Sequence, residues 1–210
     1  IRKIKGLGEI TEQNILKNIK TNLGTKRFAL KAAMKDADYI LKKLKSCNEI
    51  NRVSLAGSLR RMKETIGDID ILATSKNPEK VMEIFTSLPK VKRVLAKGDT
   101  KSSVVLNSGM QADLRVVKDK IFGAALLYFT GSKVHNIALR RLAIAKDWKL
   151  SEYGLFERKS GKLIAAKTEE EIYKKLFSYR TYSIISDMEF KDGIRHIKQE
   201  VKNYSERPGS

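Results

Sequence analysis

The chain has 210 residues, of which 41% are hydrophobic and 32% charged, so it can bury a sizeable core and lacks the composition of a disordered protein. Its formal net charge of +19 predicts a polyanionic partner, nucleic acid in preference to a membrane. The single cysteine, Cys47, excludes an intrachain disulfide and a cysteine-rich zinc site, and only two histidines leave little room for a histidine-ligated metal.

Two glycines precede a predicted helix near the N-terminus. Gly6 and Gly8 permit a tight hairpin whose amides point outward, which suits a phosphate oxygen at the start of a helix. A plain connection between helices explains the same pattern equally well. The helix expected before this hairpin is missing, so we expect the chain to begin inside a larger protein.

An amphipathic helix is predicted over residues 27–45, because apolar residues recur there at three- and four-residue spacing. A strand over 52–56 is expected to end at a Gly-Ser pair, followed by a short helix over 59–64. Gly57 lets a backbone approach closely, while Ser58 offers hydroxyl and amide donors to a phosphate. A Gly-Ser pair is otherwise a common turn, so its meaning here depends on the next strand.

The next strand carries two carboxylates separated by one residue. Asp68 and Asp70 lie in an apolar run, and they share one face of a strand because successive strand side chains point to opposite faces. Asp113, in a separate apolar stretch over 110–117, is expected to add a third carboxylate from another strand. Carboxylates together with substrate phosphates are the ligands that Mg²⁺ prefers. The three aspartates therefore predict the metal site of a nucleotidyl transfer reaction.

A helix and an antiparallel meander are predicted between these carboxylates. Asn77-Pro78 supplies a cap and a first helical residue. Turns of glycine with Asp or Asn then separate three apolar strands over 91–96, 102–106 and 110–117, and this turn chemistry is typical of antiparallel hairpins.

The C-terminal third is predicted to contain three helices and a hairpin. A short helix over 121–127 is expected to break at 128–132, where Ser132 caps a following helix over 133–146. A hairpin over 153–165 precedes a last helix, which opens on a capping box formed by Thr168 and Glu171.

The helix over 133–146 is expected to present an open polar face. Its predicted buried stripe consists of Val134, Ile137, Ala138, Leu142 and Ala145. Asn136 and Arg140 stand four residues apart on another face, suited to hydrogen bonds with a nucleotide base and a template strand. A solvated polar pair is the alternative interpretation.

These motifs together resemble the family-X DNA polymerases, the polymerase beta group, and in particular its bacterial and archaeal members. The resemblance covers about residues 1–175. The motifs that carry it are Gly57-Ser58-Leu59-Arg60-Arg61, Gly67-Asp68-Ile69-Asp70, Asp113, Tyr128-Phe129-Thr130-Gly131-Ser132, Asn136 and Arg140.

The resemblance implies an α+β fold. Its parts are a nucleotidyltransferase palm with a mixed or antiparallel sheet flanked by helices, small helical fingers, and a thumb-like C-terminal α/β subdomain. The boundaries expected are 1–25 for a helix-hairpin-helix remnant of the fingers, 26–118 for the palm, 119–177 for the nucleotide-binding thumb-like subdomain, and 178–210 for a C-terminal extension of uncertain structure.

The resemblance also implies roles for matched residues. Asp68, Asp70 and Asp113 would be catalytic and would hold two Mg²⁺ ions, for which Mn²⁺ can substitute, with Asp113 on the ion that activates the primer hydroxyl. The nucleotide-binding residues implied are Arg27, Gly57, Ser58, Arg61, Gly67, Tyr128, Phe129, Gly131 and Asn136. The DNA-binding residues implied are Arg140 on the template strand and Gly6 and Gly8 on the primer backbone, the glycines often with a monovalent cation.

Three positions depart from the family pattern. Gln111 stands where many relatives carry an arginine, Lys133 replaces an acidic residue, and His135 occupies a position that is often aromatic or apolar. These changes leave the metal chemistry intact and bear on fidelity and nucleotide affinity. We expect neither the lyase domain that normally precedes the fingers nor the phosphoesterase domain of microbial relatives.

The activity implied is template-directed addition of deoxynucleotides to a primer 3′-hydroxyl, in gap-filling repair. The partners expected are primed or gapped DNA and deoxynucleoside triphosphates, with the protein acting as a monomer. Two alternatives stay open: another nucleotidyltransferase, such as an RNA-end-adding or template-independent terminal transferase, and a non-catalytic DNA-binding module. The sequence has no apolar run of the roughly 20 residues that a membrane span requires. We therefore expect an intracellular protein of the cytoplasm and nucleoid, or of the nucleus in a eukaryote.

Overall fold

The computed structural model of the chain describes residues 26–177. The predicted hairpin at Gly6 and Gly8 and the predicted segments over 1–25 and 178–210 therefore lie outside the described residues. The helices are α1 (Leu30–Lys45), α2 (Gly57–Arg60), α3 (Pro78–Thr86), α4 (Phe122–Thr130), α5 (Lys133–Ala145) and α6 (Glu169–Leu176). The strands are β1 (Phe28–Ala29), β2 (Ile50–Leu55), β3 (Thr65–Ile66), β4 (Asp68–Ser75), β5 (Val91–Lys97), β6 (Lys101–Leu106), β7 (Gln111–Val117), β8 (Trp148–Ser151), β9 (Gly154–Glu157) and β10 (Leu163–Ala165).

A five-stranded mixed sheet organises the first part of the described chain. Its strand order is β2-β4-β7-β6-β5, in which β4 and β7 are parallel and all other neighbours are antiparallel. The predicted antiparallel meander of β5, β6 and β7 is therefore confirmed. The parallel pair sets Asp70 of β4 directly opposite Asp113 of β7.

One face of this sheet is covered by α1 and α3. The apolar stripe of α1, which includes Ile40 and Leu44, is fully buried against the sheet together with Phe85 of α3. Burying each such side chain stabilises the fold by about 1.5–3 kcal/mol. Asn77 caps α3 as predicted, since its side chain accepts a hydrogen bond from the backbone N–H of Lys80. The other face of the sheet carries the aspartates, and at Leu72 it is covered by α4.

A smaller unit follows, built on the antiparallel sheet β8-β9-β10. Helices α5 and α6 pack on it, with Leu139, Leu142 and Ile172 in its core. Helix α4 contributes to this core and also packs Ala125 and Leu126 against Leu72 of the large sheet. Because α4 belongs to both cores, it fixes the position of the small unit beside the large sheet. The predicted α+β class is confirmed.

Three helices have bounds that differ from the prediction. The first helix begins at Leu30 and not at residue 27, because the preceding residues form β1, which pairs with β3. The helix predicted over 59–64 ends at Arg60, because the chain then turns into β3. The helix expected to break at 128–132 continues through Thr130. It ends at Gly131, whose φ of 71° is a conformation that glycine adopts most readily.

The predicted buried face of α5 is confirmed at Leu142 and is wrong for Val134, Ile137 and Ala145. Val134 is 72% exposed, and Ile137 and Ala145 are also exposed, whereas His135, Leu139, Leu142 and Ala143 are buried. The buried imidazole is accommodated because His135 Nε2 lies 2.8 Å from the hydroxyl of Tyr173 on α6. The predicted cap of this helix is confirmed, since Ser132 Oγ accepts a hydrogen bond from the backbone N–H of His135.

The C-terminal elements follow the prediction with one addition. The hairpin of β9 and β10 and the Thr168 cap of α6 are both present. Strand β8, which the sequence analysis did not predict, extends the hairpin into a three-stranded sheet. Within residues 26–177 no helix has the length and apolar character needed to cross a membrane.

Candidate active site

The structure brings the three predicted aspartates together on the open face of the large sheet. Asp68 and Asp70 project from β4 on the same side, and Asp113 projects beside them from β7. One oxygen atom from each carboxylate lies within 4.8 Å of the others. All three side chains are half-buried. Three converging carboxylates form a hard oxygen-ligand set, which fits a divalent cation such as Mg²⁺ or Mn²⁺.

The electrostatics of this cluster favour cation binding. Burial, reinforced by the neighbouring charges of Asp68 and Asp113, raises the pKa of Asp70 to about 6, although Arg61 and Lys101 oppose the shift. Burial and then Asp113 raise the pKa of Asp68, against the opposing effect of its own backbone N–H and Arg27. Crowded carboxylates repel one another in a site of reduced solvation, and a bound cation relieves that repulsion.

Asp113 is held by two neutral hydrogen-bond donors. Ser103, which β6 places opposite Asp113, donates its hydroxyl hydrogen to Oδ1. Gln111 Nε2 donates to Oδ2 at 2.9 Å. Gln111 was identified as a departure from the family pattern, but Ser103 was missed. Only the pairing register of β6 with β7 could have identified it, because in sequence Ser103 is one serine of an ordinary strand.

The Gly57-Ser58 turn lies directly against the carboxylates. Gly57 has a φ of 59°, and a Cβ atom at this position would collide with the Asp70 carboxylate. The backbone N–H of Ala56 donates to the carbonyl oxygen of Asp70 at 2.8 Å, which holds the turn against β4. A residue without a side chain is therefore required at position 57, and it brings Ser58 beside the aspartates.

A cleft of about 700 Å³ opens next to the aspartates. This volume lies within the range of about 300–1,000 Å³ that is usual for small-molecule sites. The predicted site residues that line the cleft are Arg27, Gly57, Ser58, Arg61, Gly67, Asp68, Asp70, Tyr128, Phe129, Gly131, Asn136 and Arg140. Asp113 does not line the cleft, but one of its oxygens lies within 4.8 Å of oxygens of Asp68 and Asp70, which do.

Two arginines are fixed at the cleft by backbone and side-chain acceptors. Arg27 Nε donates to Thr65 Oγ1 at 2.8 Å, and its Nη2 donates to the carbonyl oxygen of Thr65 at 2.6 Å. Arg61 Nη1 donates to the carbonyl oxygen of Thr130. Guanidinium groups held in this way present their remaining donors to an anion such as a phosphate.

Part of the cleft lining is aromatic. Tyr128 and Phe129 lie in the last turn of α4, with their ring centroids 5.1 Å apart in a T-shaped arrangement. Arg115 lies 4.5 Å from the Phe129 ring centroid, and Arg140 lies 5.5 Å from that of Tyr128. Asn136 Nδ2 donates to the carbonyl oxygen of Tyr128 at 2.8 Å, so this amide is tied to the aromatic turn.

Arg60 is a structurally important residue that the sequence analysis did not single out. It is 6% exposed and donates two hydrogen bonds to the Glu169 carboxylate, at 2.8 and 2.6 Å, and one to Thr130 Oγ1 at 2.6 Å. Adjacent residues of a helix do not share a face, so of the Arg60-Arg61 pair only one can line the cleft. Arg60 therefore connects α2 to α4 and α6 from behind the site.

Comparisons with known proteins agree with this geometry. Residues 30–145 match a family model described as the DNA polymerase beta palm, and residues 125–178 match one described as the DNA polymerase beta thumb. The chain is 35% identical over 209 residues to the DNA polymerase/3′-5′ exonuclease PolX of Bacillus subtilis. It is 31% identical over 134 residues to a repair DNA polymerase X of African swine fever virus, and 29% identical over 150 residues to DNA polymerase lambda of Rattus norvegicus.

These matches cover different shares of each protein. The Bacillus match covers 98% of this chain and 35% of its relative, and the rat match covers 57% of this chain and 26% of its relative. The viral match covers 59% of this chain and 75% of its relative. The chain thus spans about a third of the bacterial relative and about a quarter of the rat relative, but most of the viral one.

Proposed function

The chain belongs to the polymerase beta family, the family-X DNA polymerases, and on this premise we propose that it is a template-directed DNA polymerase that fills gaps during repair. The observation that carries the proposal is the convergence of Asp68, Asp70 and Asp113 beside a cleft lined by arginines. In the reaction, the primer 3′-oxygen forms a bond to the α-phosphorus of a deoxynucleoside triphosphate. The bond from that phosphorus to the bridging oxygen breaks, and pyrophosphate leaves.

The aspartates are proposed to hold two Mg²⁺ ions, for which Mn²⁺ can substitute. When bound, such a pair of ions neutralises charge on the attacking and leaving oxygens. Ser103 and Gln111 keep both oxygens of Asp113 oriented, and Gly57 lets the phosphate-binding turn approach Asp70. The carboxylate set is therefore preorganised by neighbouring residues.

The rest of the cleft is proposed to bind the nucleotide. Ser58, Arg61 and Gly67, with Arg27, are assigned to the β- and γ-phosphates because all four line the cleft together with Asp68 and Asp70. Tyr128, Phe129 and Gly131 are assigned to the sugar, Asn136 to the minor-groove edge of the base, and Arg140 to the template strand. For Asn136 to reach a base, its amide must exchange the hydrogen bond that it now makes with Tyr128.

The substrates proposed are primed or gapped DNA and deoxynucleoside triphosphates, bound by a monomer. The formal charge of +19 supports a DNA partner through attraction to phosphates. A primer-gripping hairpin at Gly6 and Gly8 with a monovalent cation, and the division of the chain into palm and thumb-like parts near residue 118, stay predictions.

The decisive experiment is single-nucleotide extension on a gapped duplex. Asp113→Ala should abolish extension while DNA affinity changes by less than about twofold, because the carboxylate acts on the reaction and contributes no contact to the DNA backbone. The matched control is Asp99→Ala, which removes an exposed acid at the turn between β5 and β6. Near-normal turnover by Asp113→Ala would refute the assignment. Reactions without template, and with RNA primers or ribonucleotides, separate this activity from the other nucleotidyltransferases.

A further inference from the structure

A second pocket, of about 440 Å³, adjoins the catalytic cleft. The two share a wall made by Tyr128 and Arg140, which line both. The rest of the second pocket is built from the end of α5, from β8 and its turn into β9, and from Arg158. None of those residues lines the catalytic cleft. The pocket is therefore a separate surface that a ligand can reach from the cleft.

The pocket combines aromatic walls with a basic rim. Trp148 and Tyr128 supply the rings, and Ile144 and Leu150 supply aliphatic surface. Lys146 Nζ lies 5.1 Å from the Trp148 ring centroid, and Lys146 is not part of the pocket lining. The rings that the pocket exposes are flat apolar surfaces beside cations, which is the combination that binds nucleic acid bases.

The charge of the rim also fits a polyanion. Arg140, Lys149 and Arg158 are exposed around the pocket, against a single acid, Glu152. Within residues 26–177 none of these three cations takes part in an ion pair. Their charges are thus available to phosphates.

We propose that this pocket holds one unstacked nucleotide of the template strand, with its base against Trp148 and its phosphate toward Lys149 and Arg158. The proposal rests on the proposed function, which brings a template strand past Arg140. Adjacent nucleotides of a strand lie side by side, so a strand that contacts Arg140 from the catalytic cleft reaches the shared wall and the pocket beyond it. Stacking of a base on an aromatic ring tolerates any sequence, as a template-reading enzyme requires.

Tryptophan fluorescence reports on this site alone, because Trp148 is the only tryptophan of the chain. The full chain is titrated with primed duplexes that carry a single-stranded template extension, and tryptophan emission is recorded. We expect about twofold quenching with an intact template, and almost none when the unpaired nucleotides lack their bases but keep their phosphates. Equal quenching by the two templates would overturn the proposal.

Substitutions supply a second measurement. Trp148→Leu keeps apolar bulk against the small core and should weaken binding to the extended template about tenfold, with no change for a duplex that has no extension, whereas Trp148→Phe should retain affinity. Tyr153→Leu is the matched control, since Tyr153 is 60% exposed and lies outside the pocket lining. Equal losses for both duplexes with Trp148→Leu would contradict the proposal.

Two double variants test the phosphate contacts without changing Trp148, in case the tryptophan variants do not fold. The double variant Lys149→Ala with Arg158→Ala should lose affinity for the extended template, and Lys162→Ala with Lys167→Ala, which removes two exposed lysines outside the pocket, should not. Thermal melting of each variant shows that it is folded. Equal affinities for the two double variants would reject the strand assignment.

A free nucleotide presents the same base and phosphate chemistry as the strand. Quenching by deoxynucleoside triphosphates alone, at concentrations that saturate the enzyme, would assign the pocket to a free nucleotide and overturn the proposal. The proposed function is tested separately with the same wild-type protein. Base-dependent quenching without primer extension would reject the polymerase and retain a nucleic-acid pocket, whereas extension without base-dependent quenching would reject the pocket alone.

Discussion

At the scale of single residues, the position of Asp113 depends on two neighbours that carry no charge. Ser103 and Gln111 each donate to one of its oxygens, so the carboxylate is oriented by donors that bring no charge of their own. The sequence indicated Asp68 and Asp70 because strand alternation places them on one face, and it indicated Asp113 because this residue lies in a separate apolar stretch. It did not indicate Ser103, because that contact depends on which strands become neighbours.

Ser103→Ala is expected to raise the Mg²⁺ concentration needed for half-maximal rate and to lower kcat about tenfold, with little change in KM for the nucleotide. The reason is the loss of a hydrogen bond to a charged acceptor, which contributes about 1.5–3 kcal/mol. Direct Mn²⁺ binding, followed by paramagnetic resonance, should weaken in parallel, and Ser103→Thr should restore it.

Ser102→Ala is the control for this substitution. Ser102 is fully buried on the opposite face of β6, and its hydroxyl has no hydrogen-bond partner among residues 26–177. Its loss should leave metal dependence and rate unchanged. A Ser103→Ala variant that titrates with metal like the wild type would show that Gln111 alone orients Asp113.

The raised pKa of Asp70 has a consequence for stability in the absence of divalent metal. Its pKa is about 6 in the folded chain against an ordinary value of 3.8, so between these pH values the folded state binds more protons than the unfolded state. Stability should therefore fall as pH rises from about 4 to about 6 and stay reduced above that. Asp70→Asn removes this cost, which is at most about 3 kcal/mol.

Thermal melting with a chelator present measures the effect. Asp70→Asn should have a higher Tm than the wild type at pH 7.5 and the same Tm below about pH 4. Added Mg²⁺ should stabilise the wild type and leave the variant unchanged. A variant that is less stable than the wild type at pH 7.5 in chelator would contradict the electrostatic explanation.

At the scale of elements, Arg60 joins three helices behind the site, through an ion pair to one helix and a hydrogen bond to another. Arg60 of α2 contacts Glu169 at the start of α6 and Thr130 at the end of α4. The Glu169 side chain is 16% exposed, so the pair is largely shielded from water. Arg60 and Glu169 are 109 residues apart in sequence, and Glu169 belongs to the small unit. The pair therefore fixes the position of the small unit on the large sheet.

Glu169→Ala is expected to lower the free energy of unfolding by about 3 kcal/mol, because it leaves the buried Arg60 guanidinium without its carboxylate. Urea unfolding measures the change. Glu170→Ala is the matched control, since Glu170 lies in the same first turn of α6 but is exposed, and it should change stability by less than about 0.5 kcal/mol. Equal losses in the two variants would show that the effect comes from the helix terminus.

The elements also show where local sequence is informative. Caps and turns predicted α3, α6 and the β5-β6-β7 meander, because their signals lie within a few residues of the chain. The prediction for the buried face of α5 missed His135, because burial of that side chain depends on Tyr173, a partner on another helix. Likewise, the polar end of α4 looked like a break, although Thr130 is still helical and bonds to Arg60.

At the scale of the whole molecule, charge should dominate DNA affinity. The chain has 43 Lys and Arg against 24 Asp and Glu. Composition predicts a nucleic-acid partner, since charge is a property of the sequence alone. The boundary between palm and thumb-like parts could not be fixed in the same way, because α4 contributes side chains to both cores.

DNA affinity should fall steeply with salt, with each phosphate contact contributing about −0.9 to the slope of log K against log salt concentration. Arg140→Ala should reduce the magnitude of that slope by about one contact, whereas Lys35→Ala, on the exposed side of α1, should not change it. Fluorescence anisotropy over a series of salt concentrations gives both slopes. A flat salt response of the wild type would contradict binding through the DNA backbone.

The strand order of the large sheet determines when the proposed metal site can form. Strand β7 inserts between β4 and β6, so the third acid joins the first two only after the chain has run through α3 and both arms of the β5-β6 hairpin. A nascent chain on the ribosome, or a proteolytic fragment ending before residue 113, holds just two of the acids. The three acids of the proposed catalytic site are therefore assembled only once β7 has joined the sheet.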